Sequence, residues 1–498
     1  MKITVVGTGT ASWLSAFVLS HTTNHDITVI ESFDTSIVGV GEGSTSIFSD
    51  LIGGKYFKTD VNVSDFTREL ECTPKLAIHF KGWTNKDYYS PVDGTPTAFK
   101  IKDELFLQAL AKGKYHTASQ CGYNVEHNRM VGGAFHFNTN NFDKFIRPYC
   151  ESKNVKVIQG LVKDVILDDS GNIQQLVLKN KSKVDTDFVI DGTGFKRAVI
   201  KHLDYKWVEY VDNLPVNRAI PFHIKYDEMS DKEFNNLKAV TTAQRMDAGW
   251  LWQIPTTKRL GCGYVFSDEF MSDSKAKKEI NNLYGREIQT ANAIPFNSGR
   301  LENQLIKNCL AVGLCGAFAE PLQATSIHTT IVQILTFAQT YCVPNLSETM
   351  RAKFNSKMAR LYDDMRDFLV LHYATHKTDT RFWKMISEHK HLTPQVKELI
   401  NYSKNAVPNF NTFDAYFGHV NHKLWNWTLA GLGYLTPKLA KKELDNYDCF
   451  FDLDMEHVKL KHMTKEALSF QEFLSEHTNN KTTSSSNIRN NINTATHS

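Results

Sequence analysis

The stretch MKITVVGTGTASWLSAFVLSHTTNHDITVIES, residues 1–32, decides the fold. Ile3–Val6 is an apolar run of strand length, and Gly7–Ser12 (GTGTAS) is a turn. Apolar residues then continue to about Ser20 as a helix, and DITVIES follows as a second strand. Strand, glycine-rich turn, helix and strand in that order make the first half of a doubly wound nucleotide-binding unit. This apolar N-terminus does not read as a signal peptide, because its glycines break the run and no small-residue cleavage site follows a positive segment.

The turn itself carries chemistry. Gly7 permits the sharp bend and Gly9 lets the backbone approach a pyrophosphate, while Thr10 and Ala11 open the helix whose free N–H groups face that group. Ser12 stands where a third glycine is usual and is small enough for close packing of helix on sheet. Glu31 closes the second strand, where an acid accepts hydrogen bonds from ribose hydroxyls. Any such turn can require glycine; glycines and acid together point to a dinucleotide. A second motif, VIDGTGF (Val189–Phe195), ends another apolar strand with Asp191 and Gly194. Flavoproteins with two such contacts place that strand beside the same cofactor, which favours FAD over NAD. No second G-x-G-x-x-G is present for NAD(P)H, so the flavin is expected to arrive reduced or to be reduced by a less legible route.

Three more stretches bear on a site. VGVGEGSTS (Val38–Ser46), with Gly39, Gly41 and Glu42, is a glycine-rich loop suited to close approach of backbone to a cofactor. GLCGAFAEPLQATSIHTT runs from Gly313 through small residues to Pro321, then into a helix beginning near Thr325 and Ser326, where free N–H groups can hold an anion. GWLWQIP (Gly249–Pro255) sets Trp250, Trp252 and Ile254 on one face of a strand that ends at Pro255. In CTPKLAIHFKGW (72–83) the alternation puts Leu76, Ile78 and Phe80 on one face and Lys75, Ala77 and His79 on the other. A lysine on such a half-buried strand ordinarily faces solvent.

The remaining organisation follows from periodicity. Short alternating strands occupy 153–191, with DSGN as a turn, and 205–270; DSKAKKEINNLYG has helical spacing, and helical spacing dominates from about 325. We therefore expect an α/β protein with a FAD-binding, doubly wound Rossmann-like core, a β-sheet substrate region and a helical C-terminal cap. The expected divisions are a FAD-binding module at 1–340, with interleaved sheet-rich regions at about 60–150 and 205–300, and a helical part at 341–478 that completes the substrate site. Residues 479–498 lack apolar residues to bury and are expected to be disordered.

Composition narrows the partners. Over 498 residues, 57 basic and 54 acidic side chains are interleaved to a net charge of +3, so no basic stripe suggests nucleic acid. No run of about 18 apolar residues predicts a membrane span. The eight cysteines show no C-x-x-C pair, hence neither a zinc site nor a disulfide framework, and read as buried thiols of a reducing cytoplasm. No metal site is expected.

The blocks GTGTASW, VGVGEGS, KLAIHFKGW, DGTGFKR, GWLWQIP, GCGYVFS, NCLAVGLCGAFAEPLQATSIH and HYATHKTDTRFW resemble the tryptophan-halogenase family of flavin-dependent halogenases. The G-W-x-W-x-I-P block separates that family from related flavin monooxygenases. The resemblance implies a flavin-dependent aromatic halogenase whose reduced FAD, FADH2 from a separate flavin reductase, reacts with O2 to give a C4a-hydroperoxide. A halide attacks it to form hypohalous acid. In the family the halide rests on backbone N–H groups that correspond to Thr325 and Ser326, and the tryptophans, here Trp250 and Trp252, keep substrate from flavin. The family's lysine corresponds to Lys75, which hydrogen-bonds hypohalous acid or traps the halogen as a haloamine; either role suits a dry channel that lowers an amine's pKa.

The chain departs from the family where tryptophan-specific members carry Pro-Leu-Glu-Ser-Thr. Here PLQAT places Gln323 at the glutamate and Ala324 at the serine, and an amide cannot serve as a general base. Glu320, three residues earlier, is also a family position, but without geometry the base role is not moved to it. The C-terminal helices do not align with the tryptophan-gripping residues, so an indole, phenol or other electron-rich arene is at least as well supported as free tryptophan. Chloride, bromide and iodide, and a homo-oligomer, are left open. The alternatives are a flavin monooxygenase or oxidoreductase on the same scaffold, and a catalytically degenerate flavin-binding protein. His79 and His328 read as structural donors, and Trp425 and Trp427 either line the substrate mouth or pack helices, with packing the favoured reading.

Overall fold

A computed structural model describes residues 1–32, 42–92, 104–113, 134–409, 412, 420, 422–446, 449 and 452–479. Gly39, Gly41 and the tail from 480 onward lie outside the described residues. The strand Lys2–Val6 lies at the centre of a six-stranded sheet, flanked by Asp26–Glu31 and Phe188–Asp191, all three parallel. Lys156–Gln159 and Cys309–Ala311 extend it on either side, again in parallel. Parallel strands covered on both faces need apolar residues throughout, and Ile3, Val5, Val29 and Ile190 are each essentially inaccessible. The same demand explains the helix Thr10–Thr22, which buries Ser12–Leu19 without a polar stripe.

A second, seven-stranded sheet carries the region expected to contact substrate. Its order runs Ile294–Pro295, Arg218–Lys225, Arg259–Phe266, Gly249–Pro255, Val240–Met246, Ala77–Lys81, Tyr88–Pro91. The tryptophan strand pairs antiparallel with both neighbours. Trp250, Trp252 and Ile254 join the main core while Leu251 joins a separate cluster on the other face, as the alternation predicts. The DSGN turn lies between Val162–Leu167 and Ile173–Leu178, and the predicted helix forms as Asp273–Tyr284, capped by the Ser272 hydroxyl and stopped by Gly285 at φ +65°.

The C-terminal part is helical, led by Glu348–His372. One apolar cluster holds Ile3 and Leu310 of the first sheet and Trp13 of the helix on it together with Phe354, Trp383 and Trp425 of these helices. Trp425 and Trp427 pack against Phe368 and Phe106, as expected of packing residues.

Two expectations are corrected. The segment around Lys75 is not one half-exposed strand: it breaks at Leu76, with Thr73–Lys75 in a small sheet beside Ala134–Phe137 and Ala77–Lys81 in the large one. Ala77–Lys81 is interior to its sheet and buries Ala77, Ile78 and Phe80, Phe470 and Leu474 of the last helix pack on Leu76 and Ala77, and exposure returns only at Lys81. Among the described cysteines six are buried, but Cys449 is exposed between the helices Pro437–Leu444 and Leu453–Met463.

Candidate active site

At the nucleotide end, backbone decides the geometry. Gly7 sits at φ +131°, and a Cβ there would lie 2.5 Å from Ser12 Oγ and 2.6 Å from the Gly192 carbonyl oxygen. Ser12 donates to the carbonyls of Val6 (3.4 Å) and Gly192 (3.3 Å), tying helix to strands. Gly313, at φ +58°, approaches so closely that a Cβ would meet that of Ala11 at 2.6 Å. Above Gly9, by contrast, a Cβ would meet nothing within 4 Å. At the end of the second strand Glu31 is buried; its Oε1 accepts from Arg147 at 2.5 Å and from Gln159, while Oε2 has no hydrogen-bond partner among the described residues. A sealed carboxylate oxygen needs a donor. Open space over Gly9 and an orphaned acceptor on Glu31 fit the pyrophosphate and ribose of a dinucleotide.

Asp191 behaves differently from Glu31. Its Oδ1 accepts from the Thr193 N–H and hydroxyl (3.0 and 2.6 Å), and its Oδ2 from the N–H groups of Val199 and Ile200 (3.0 and 2.8 Å). Both oxygens hold the DGTG turn in shape, with Gly194 at φ +66°, so Asp191 bears on a cofactor through the backbone it organises. Glu42 pairs with Phe137 at the edge of the small sheet.

The reaction end is made of buried polar side chains. Lys75 is 1% exposed, and its Nζ donates to the Ser44 carbonyl at 3.1 Å. Gly43 leaves room for it: a Cβ there would lie 2.8 Å from Nζ. Beside it His136, which sequence reasoning missed, is fixed as a neutral ring. Thr73 gives its hydroxyl proton to the Pro255 carbonyl (2.6 Å), so His136 Nδ1–H donates to Thr73 Oγ1 (3.2 Å) and Nε2 accepts from Thr241 (2.8 Å). Burial, then the Lys75 charge, hold its pKa well below the usual value. Only strand pairing, Thr73 opposite His136 and Lys75 opposite Ala134, brings them together.

From Ser44 the chain reaches the helix Thr325–Thr336, since Thr45 Oγ1 meets His328 Nδ1 at 3.0 Å. That helix starts from Ala324 in a left-handed conformation, φ +54° and ψ +37°, without a side-chain cap. Such a conformation costs an L-residue roughly 1–2 kcal/mol. Thr325, Ser326 and Thr329 line a cavity with Tyr210, Phe318, Tyr362 and Met365. Uncapped N–H groups at a helix start suit an anion.

Two side chains three residues apart complete the site. Glu320 is fully buried; its Oε2 accepts from the Trp250 indole N–H (3.4 Å) and the Tyr373 hydroxyl (2.6 Å), and Oε1 has no partner among the described residues. Burial raises its pKa to about 7. Gln323, 8% exposed, places its amide nitrogen 2.8 Å from His372 Nε2. Trp250 and Trp252 lie with ring centroids 6.2 Å apart, and Trp252 covers Gly263, where any Cβ would strike the ring at 2.1 Å. Ile254 and Pro255 are buried beyond them. His372 and Tyr373 open the HYATH block in the sequence, but nothing in their spacing singled them out. His79 pairs with Asp87 at 3.3 Å and burial lowers its pKa to about 4.

Comparison with known proteins follows the same lines. Residues 2–447 match the family model described as tryptophan halogenase. The chain is 29% identical over 430 residues to tryptophan 6-halogenase SttH of Streptomyces toxytricini, covering 77% of this chain and 80% of that protein. It is 25% identical over 501 residues to tryptophan 7-halogenase RebH of Lentzea aerocolonigenes, covering 88% and 91%. The crystal structure of the Streptomyces toxytricini enzyme superposes with a TM-score of 0.83 at 25% identity over 96% of this chain and 99% of that one. A tryptophan halogenase from Shewanella frigidimarina shares the fold at a TM-score of 0.84 and 21% identity, covering 96% and 97%.

Proposed function

The chain belongs to the tryptophan halogenase family of flavin-dependent enzymes, and from that premise we propose that it halogenates an electron-rich aromatic, an indole or phenol, through Lys75. The observation that carries this reading is a strand lysine 1% exposed, held by the carbonyl of Ser44, whose neighbour Thr45 meets His328 in the first turn of the helix that starts uncapped at Thr325. Solvent-facing lysines are not built this way.

Gly7, Gly9, Thr10, Ala11 and Ser12 would hold FAD at the pyrophosphate, Glu31 at the ribose, and Glu42, the Asp191–Gly194 turn and Gly313 around the rest; Gly39 and Gly41, expected to join them, lie outside the described residues. Bound there as FADH2 from a separate reductase, the flavin would supply, with O2, the oxidising power that turns halide into hypohalous acid. The N–H groups of Thr325 and Ser326 hold the halide. Trp250 and Trp252, with Ile254 and Pro255 behind them, form the wall that keeps the arene away from the flavin. Lys75 donates an N–H to hypohalous acid and polarises its O–halogen bond toward the ring, or, as the free amine, takes the halogen on nitrogen while an N–H proton and the hydroxyl of hypohalous acid leave as water; the buried setting strengthens either interaction because bulk water does not compete. Gln323 serves as a hydrogen-bond partner in place of the glutamate.

The test is an incubation with FAD, a flavin reductase, NADH, bromide and a panel of indoles and phenols that includes free tryptophan, read by isotope pattern in mass spectrometry. Brominated product from at least one arene, lost in Lys75→Ala, is expected. Normal product from Lys75→Ala sinks the lysine mechanism, and no product across the panel sinks the halogenation reading.

A further inference from the structure

His372 occupies the last turn of the long helix, sealed between Phe80 (ring centroids 4.8 Å, stacked) and Phe368 (4.8 Å, edge-on). Its Nδ1 lies 2.7 Å from the Phe368 carbonyl oxygen, which can only accept. The ring proton is therefore on Nδ1, and Nε2 carries a bare lone pair. Complete burial lowers the pKa to about 4, so the neutral ring persists at working pH. What lies 2.8 Å from Nε2 must then be a donor, and Gln323 supplies its amide N–H. No described residue donates to the amide oxygen on the opposite side of the same planar group, and Gln323 is not completely sealed, at 8% exposure.

Resting on the function proposed above, we infer that His372 is a positioning residue that fixes Gln323 as an amide and presents its carbonyl oxygen to an N–H or O–H donor on the arene. The site thus selects indoles and phenols by a neutral hydrogen bond. A carboxylate at 323 would set an oxygen lone pair against Nε2 at 2.8 Å, relieved only by taking up a proton, either on the carboxyl or on a ring sealed between two phenyl rings. The departure from the family glutamate and the state of His372 are then one feature.

The described partner of His372 Nε2 is the Gln323 amide and not a titratable side chain. Glu320 and Tyr373 bond each other, His79 is paired with Asp87, Lys81 points to solvent, and Lys423 lies on the helix that packs Trp425 against Phe368.

Three measurements test the inference. Long-range nitrogen–proton spectra of histidine-labelled protein, with His372 assigned by its loss in His372→Gln, should show Nδ1 protonated and Nε2 bare. An Nε2-protonated ring overturns the pairing whether or not the protein is active. Second, Gln323→Glu and His372→Gln should each lower kcat/KM about 10–100-fold, and the double variant should recover part of the loss, because Gln at 372 can donate to the new carboxylate. Losses that simply multiply, or a Gln323→Glu enzyme with unaltered kinetics and histidine spectrum, overturn it. Third, the preference for indole over N-methylindole should vanish in Gln323→Met; persistence of that preference removes the carbonyl from substrate selection. Failure of wild type to halogenate any arene would instead count against the function proposed above.

Discussion

The nucleotide end and the reaction end of this molecule are built from different materials. Around Gly7, Gly9 and Gly313 the geometry is set by backbone: positive φ at Gly7 and Gly313, and missing Cβ atoms that allow close approach or leave space open. Around Lys75, Glu320 and Gln323 it is set by buried polar side chains, each fixed by a partner from a distant part of the chain, Ser44, Trp250 with Tyr373, and His372. A backbone site tolerates sequence change everywhere except at a few glycines. A side-chain site can be retuned by one substitution, provided its partner answers, as Gln323 and His372 do.

The sharpest way to break this contrast is at Lys75. Lys75→Met, close in volume, should keep the fold and flavin affinity yet lower the halogenation rate by about 10²–10⁴-fold; product formation under saturating flavin measures it. Next in size is Gly7→Ala. A Cβ at 2.5 Å from Ser12 Oγ in a left-handed backbone should cost about 2–5 kcal/mol of stability and abolish flavin binding, seen as a lowered melting temperature and loss of flavin-fluorescence quenching.

Glu320→Gln probes the reaction end through pH. The buried carboxyl has its pKa raised from 4.5 to about 7, so the folded protein binds more protons than the unfolded chain between those values. Its contribution to stability is fully present below pH 4.5 and is lost as pH rises through 7, on the order of 3 kcal/mol in all. Melting temperatures from pH 4.5 to 8 should therefore fall less in Glu320→Gln, whose amide still accepts from Trp250 and Tyr373. An identical decline in both proteins would place the titrating group elsewhere. The smallest effect belongs to Gly9→Ala: with nothing within 4 Å of the new Cβ, apo stability should change by no more than about 0.5 kcal/mol, while flavin titration shows weakened binding. If Gly9→Ala melts like Gly7→Ala, the space over Gly9 is not a ligand's.

Much of the nucleotide end was legible because its requirements are local. A left-handed turn needs glycine at that position, and a buried parallel strand needs a continuous apolar run, so GTGTAS after Ile3–Val6 and VIDG after another apolar run can be read in place. The role of Asp191 was not, since which groups fill a carboxylate depends on where Val199 and Ile200 return. The burial of Lys75 was likewise hidden: a lysine on an alternating strand ordinarily faces solvent, and here Ala134 on the neighbouring strand and the Gly43–Ser44 segment close around it.

By itself the sequence determined the α/β class, the nucleotide turn, the tryptophan strand and, through its blocks, the family, because each depends on short-range sterics and periodicity. Tertiary structure decided that Lys75 is sealed beside a neutral His136, that Glu320 shares an oxygen between Trp250 and Tyr373, and that Gln323 faces His372. Those outcomes turn on which buried donor meets which acceptor, and desolvation makes each pairing obligatory only once the fold has brought the partners together.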